Sequence, residues 1–180
     1  MIESAGGFFG KIPSRGDFVR RGLPSPVVKA LEDWCQAVLP ASRERLGERW
    51  TEAWMAAPIW HWRVAAGGCG PDALAGVWLP STDRAGRLFP LIMVLVGPGL
   101  STGSAGLDAL ERLGLAAIER DVTPEQLGEA VDAALAVLPT APLPGDGSEW
   151  WTTGGPYVAA ARRTMDGLPR PAEFAAMLQD

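Results

Sequence analysis

The sequence predicts a single α/β domain over residues 1–180, with a mainly antiparallel sheet flanked by helices. Three observations carry this expectation. Strand-like and helix-like periodicities follow one another in the order strand, helix, helix, strand, strand, strand. The two most apolar runs, 73–80 and 88–97, are separated by a connection of hairpin length and not by a crossover helix. The 180 residues, 47% of them hydrophobic, suffice for one core of ordinary size. A longin-like arrangement is one form this order could take, by analogy alone.

"GGFFGKI" (6–12) reads as a short first strand that runs into a polar loop. Ser25 then supplies an N-cap and Pro26 a proline at the first helical position. Val27, Leu31, Trp34 and Val38 recur on one face of that helix, and Pro40 is expected to end it. A second helix spans roughly 42–56, with Leu46, Trp50, Ala53 and Trp54 along one side.

"PIWHWRVAA" (58–66) alternates, with Trp60, Trp62 and Val64 facing one way and His61 and Arg63 the other, as in a half-buried strand. The runs 73–80 and 88–97 are almost continuously apolar, the pattern of strands covered on both faces. Between them, Asp83 and Gly86 occupy the favoured ends of a type I turn. Two helices follow, and Thr123, Pro124 and Gln126 open the second with a capping-box pattern ahead of a stripe of Leu127, Val131, Ala134 and Leu138. The stretch 139–148 is linker-like, "EWWTTGG" reads as a strand, and "RPAEFAAMLQ" closes the chain as a helix. Because side chains alternate along a strand, Trp150 and Trp151 should face opposite ways, one into the core and one over a neighbouring loop or helix.

Composition excludes several functions. A net charge of −5 gives nucleic acid no electrostatic footprint. Residues 1–100 hold 11 basic and 9 acidic side chains, whereas 101–180 hold 5 and 12, an asymmetry compatible with a protein partner. No apolar run approaches the ~18 residues of a membrane span, and no signal-peptide pattern opens the chain, so the expectation is a cytoplasmic protein without membrane insertion. Two cysteines, Cys35 and Cys69, make no disulfide framework and have no metal-ligand spacing. His61 is the only histidine, and the glycine-rich 67–76 has neither a phosphate-loop lysine nor dinucleotide-binding spacing. Neither a catalytic cluster nor a cofactor motif is evident, so no cofactor is expected.

Two charged loops on apolar strands remain. One holds Lys11, Ser14, Arg15 and Asp17; the other holds Ser81, Asp83, Arg84 and Arg87. If both reach one edge of the sheet, Lys11 or Arg15 should approach Asp83, and Asp17 should approach Arg84 or Arg87. Because cations outnumber carboxylates, Asp17 and Asp83 are expected to be structural, and Arg15 and Arg84 partly free for a partner. Arg15-Gly16-Asp17 also matches the adhesion tripeptide, a role that the expected cytoplasmic location weakens, since such ligands are extracellular.

"GFFGKIPSRGDFVRRGLP", the block "APIWHWRVAAGGCGPDALAGVWLPSTDRAGRLFPL", "SEWWTTGG" and "GLPRPAEFAAML" occur in that order over about residues 7–178. Together they resemble the TagF (ImpM) family of type VI secretion system accessory proteins. Thr82, Ala85 and Glu149 depart from the family pattern, and 154–165 matches least. The resemblance implies a non-enzymatic, post-translational repressor that binds a system component, foremost the forkhead-associated scaffold Fha. Its candidate partner-binding or motif residues are Lys11, Ser14, Arg15, Asp17, Ser81, Asp83, Arg84, Arg87, Trp150 and Trp151. Some relatives are fused to a PppA-type phosphatase, for which a chain ending at Asp180 leaves no room. An assembly factor of the same system, or a phosphate-binding enzyme using the arginine-rich loops, are the alternatives.

Overall fold

The computed structural model describes residues 5–97, 104–137 and 147–179. Among these residues seven strands form one sheet: β1 (Ala5–Gly10), β2 (Val19–Arg21), β3 (Trp60–Val64), β4 (Leu74–Leu79), β5 (Leu91–Val96), β6 (Ser148–Thr152) and β7 (Ala161–Met165). Their order is β2-β1-β5-β4-β3-β6-β7, and every neighbouring pair is antiparallel. The helices are α1 (Ser25–Leu46), α2 (Trp50–Met55), α3 (Ser104–Glu119), α4 (Pro124–Leu135) and α5 (Pro171–Leu178). The expected helix-flanked, antiparallel architecture is therefore present.

The sheet separates two apolar layers. Phe9, Trp60, Trp62, Trp78, Ile92 and Trp150 face α1, α2 and α5, while Phe8, Val77, Leu79, Leu91 and Met93 face α3 and α4. Strand β5 is buried at all six positions because both faces are covered, as its unbroken apolar run requires. Seven of the eight tryptophans lie in the first layer, and Trp151 alone packs with the second. In this layer Trp62 lies opposite Gly76, where an added Cβ would come within 2.7 Å of the indole and 2.2 Å of the Met93 carbonyl oxygen. Only glycine allows that indole to lie so low on the sheet.

The structure corrects three expectations. Pro40 does not end α1, which continues through it to Leu46. The proline is on the exposed face, so the carbonyl that loses its intrahelical partner is near water. Buried Trp34, Cys35, Val38 and Leu39 before it, and Ser42 and Leu46 after it, hold the helix on course. The break comes at Gly47, whose φ of 55° suits glycine, and a 3₁₀ turn over Gly47–Arg49 leads into α2. The second helix is thus Trp50–Met55, not 42–56. Ser25 is no N-cap either: Pro24 holds that position, its carbonyl accepting from the Val27 and Val28 amides.

Two strands escaped the sequence reading. The loop after the first strand contains β2, and the least family-like stretch contains β7. Both are edge strands with paired arginines and too little alternation to announce themselves. The Thr123 capping box is present, with Gln126 N donating to Thr123 Oγ1 at 3.2 Å and Thr123 N to Gln126 Oε1 at 2.9 Å. Leu138 and most of the linker-like 139–148 lie outside the described residues.

Candidate functional site

The β1–β2 loop and the β4–β5 loop meet, and a buried ion pair joins them. Lys11 Nζ donates to Asp83 Oδ2 at 2.9 Å. The same oxygen accepts from Arg87 Nε at 2.7 Å, while Asp83 Oδ1 accepts the amides of Ala85 at 2.9 Å and Arg87 at 3.0 Å. The Asp83 carbonyl also takes the Gly86 amide at 3.0 Å, closing the turn expected there. Burial alone would push the Asp83 carboxyl up, but the hydrogen bonds from Lys11 and Arg87 outweigh it and hold the group well below the usual carboxylate range. Ser81 Oγ donates to the Lys11 carbonyl at 2.8 Å, and Trp54 Nε1 donates to the Ser81 carbonyl at 3.2 Å. The loops are therefore tied both to each other and to the tryptophan layer.

Backbone carbonyls of the first loop receive arginines from the second. Arg87 Nη2 donates to Gly16 O at 2.6 Å, Arg84 Nη2 donates to Ser14 O, and the Arg84 amide donates to Arg15 O at 2.8 Å. Ser14 Oγ in turn donates to the Val122 carbonyl at 2.7 Å, just ahead of α4. One expectation fails here: Asp17 forms no ion pair with Arg84 or Arg87. Its Oδ1 accepts the Phe18 amide at 2.8 Å, and the two guanidiniums reach main-chain oxygens instead. A carbonyl of the adjacent loop offers a fixed acceptor close at hand, whereas the Asp17 side chain lies in solvent.

Lys11, Ser14, Ser81, Asp83 and Trp150 are buried, so among the ten candidates they belong to the scaffold. Asp17, Arg84 and Arg87 are exposed, and Arg15 and Trp151 are half-buried. Arg15 Nη2 lies 3.6 Å from Glu125 Oε2, a long contact between solvent-facing groups and hence a weak one. Sequence reasoning missed Phe18. Its ring is 53% exposed, yet it stacks on Phe9, meets Phe89 edge-on and covers Lys11 Nζ at 4.8 Å. A phenylalanine immediately after an exposed charged triplet was the available signal. Phe18 and Arg20, which has no side-chain partner among the described residues, flank a shallow depression with Arg15 and Pro124.

A second polar group lies on the outward face of β3, β6 and β7. Glu149, one of the departures in sequence, faces two guanidiniums, those of Arg63 and Arg162, and its carboxyl is held low chiefly by the Arg162 hydrogen bond. His61 Nε2 faces Glu111 on α3. His61 thus links β3 to α3 through Glu111, and no serine or cysteine is hydrogen-bonded to it among the described residues.

A family model for the TagF N-terminal domain, described as type VI secretion system-associated, matches residues 7–134. The chain belongs to the TagF family. The matched span includes both charged loops and runs from within β1 through nearly all of α4. The TagF chain is also similar to PA0076 from Pseudomonas aeruginosa PAO1, known from a crystal structure at 2.05 Å resolution. The two share 30% identity and a TM-score of 0.85, covering 97% of this chain and 94% of the other. A comparison with curated proteins returns no match. As a TagF-family member, the protein is a type VI secretion system accessory protein. No helix among the described residues is long and apolar enough to cross a membrane.

Proposed function

We propose that this protein is a cytoplasmic, post-translational repressor of type VI secretion that acts by binding a component of the machinery and not by catalysis. The partner we assign is the Fha scaffold, as the family resemblance implies. The working unit is one domain over residues 1–180: β6 extends the sheet beyond β3, and α5 packs against α1, so the segment after the matched span continues the same core.

The carrying observation is the exposed Phe18 ring above the locked Lys11–Asp83 pair, with Arg15 and Arg84 beside it in the joined loops. Arginine and aromatic side chains on a rigid base are the usual anchors of protein interfaces, because little motion is lost when they dock. The loops also carry a local excess of cations on a chain whose net charge is −5, which suits an acidic partner surface.

The test is a deletion strain complemented with wild type, Arg15→Glu, Arg84→Glu or Phe18→Ala. Deletion should raise secretion and wild type should restore repression. Each variant should melt near the wild-type temperature, yet fail to repress and fail to co-purify Fha. Variants that fold and still repress would move the binding face elsewhere, and loss of secretion on deletion would identify an assembly factor instead.

A further inference from the structure

Helices α3 and α4 cover β4, β5 and β1, but the same face of β3, β6 and β7 is left open beside α3. There the protein forms a cleft of about 740 Å³, within the range of about 300–1,000 Å³ usual for small-molecule sites. It shares no lining residue with the two charged loops. Its floor is Arg63, Glu149, Trp151 and Arg162, and Pro58 and Pro156 belong to an apolar rim.

The charges of the floor do not cancel. Each guanidinium offers five N–H donors, and both Arg63 and Arg162 are directed at the single carboxylate of Glu149. One positive charge and several donors are left over. The carboxylates of the α3 wall do not engage the two guanidiniums: Glu111 is turned to His61 Nε2, and Asp108 is exposed. The Arg162 guanidinium lies over the Trp151 ring at 5.0 Å, and the His61 ring meets that indole edge-on, so the cationic group is held against an aromatic wall.

We propose that this cleft binds a small anionic ligand, a carboxylate- or phosphate-bearing molecule with an apolar body, whose anion sits on Arg63 and Arg162 beside Glu149 and whose body rests on Trp151 and the proline rim. Glu149 is a resident counter-ion: it holds the two guanidiniums in position, yet it competes with the incoming anion for them. Replacing it should therefore act opposite in sign to replacing either arginine.

Titration calorimetry of the full chain at low ionic strength, with phenyl phosphate, benzoate and inorganic phosphate as probes, tests this. Wild type should bind phenyl phosphate or benzoate, and the tighter of the two assigns phosphate or carboxylate. Inorganic phosphate should bind more weakly than phenyl phosphate, and equal binding would overturn the apolar part of the site. Arg63→Met should weaken binding about tenfold, as loss of one charge-assisted contact does. Arg162→Met, on an exposed edge-strand side chain, should weaken it with the fold intact. Glu149→Gln should tighten it. No binding by wild type, or weaker binding by Glu149→Gln when circular dichroism shows it folded, would overturn the proposal. Neither result bears on repression, which rests on the separate loop surface.

Discussion

Lys11 and Asp83 are 72 residues apart in the chain, yet their charged atoms are 2.9 Å apart and the carboxylate is closed to water. The pair is the joint between the two loops. Removing Lys11 leaves the buried Asp83 charge with only Arg87 and two backbone amides as partners, which costs more than the pair itself contributes. Lys11→Met is therefore expected to lower the denaturation midpoint strongly. Lys29→Met, which breaks an exposed pair with Asp33 on α1, should barely change it. Urea melts of the two variants check the contrast.

The same carboxylate makes stability depend on pH in a fixed direction. Asp83 is held below its ordinary value in the folded state, whereas in the unfolded chain it titrates near about 3.9. The unfolded state thus binds the proton first as pH falls. The contribution of Asp83 is complete above the unfolded value and is lost progressively below about pH 4. Asp83→Asn should be less stable at neutral pH and should show a shallower loss of stability between about pH 4 and pH 2. An unchanged acid slope would mean that other carboxylates dominate.

The tryptophan layer contains indoles with and without partners. Trp34 Nε1 donates to the Pro169 carbonyl at 2.8 Å, while the buried Nε1 of Trp150 has no hydrogen-bond partner among the described residues. Trp34→Phe deprives a carbonyl of its donor, a loss of about 1–3 kcal/mol beyond the change in packing if that carbonyl stays dry. Trp150→Phe removes an unpaired N–H and keeps an aromatic ring on Trp62, so it should cost less. Trp150→Ala opens a cavity instead and should cost about 3–5 kcal/mol. Chemical denaturation of the three variants ranks them.

Pro40 lies inside α1 on its exposed face. Alanine there restores a backbone donor and removes the ring from the preceding turn. A helix-interior proline costs up to about 3 kcal/mol relative to alanine, offset in part by the freedom alanine returns to the unfolded chain. Pro40→Ala is therefore expected to raise the melting temperature by several degrees. A fall would show that the proline sets a bend that the core needs.

Much of this was legible in one dimension because its causes are local. The alternation of Trp60, His61, Trp62 and Arg63 placed indoles on one face and charges on the other, as observed. The capping box at Thr123 and the turn from Asp83 to Gly86 need only residues three apart, and both are present. The opposite orientations of Trp150 and Trp151 follow from strand geometry alone. The family motifs likewise led to the TagF family without any coordinates.

What remained hidden depends on which segments become neighbours. Proline at position 40 reads as a stop until the burial of Ser42 and Leu46 is known, because tertiary contacts outweigh the local penalty. Strand β7, with the sequence ARRTM, has no apolar alternation to detect, since an edge strand with one open face needs none. The Arg63–Glu149–Arg162 group exists only because β6 pairs with both β3 and β7 in one register, and a shift of one residue would send Glu149 to the other face. Sequence by itself determined the periodicities, the caps and the chemical character of the loops. Tertiary structure decided which charges meet, because electrostatic partners are chosen by distance in space, and sheet register sets that distance.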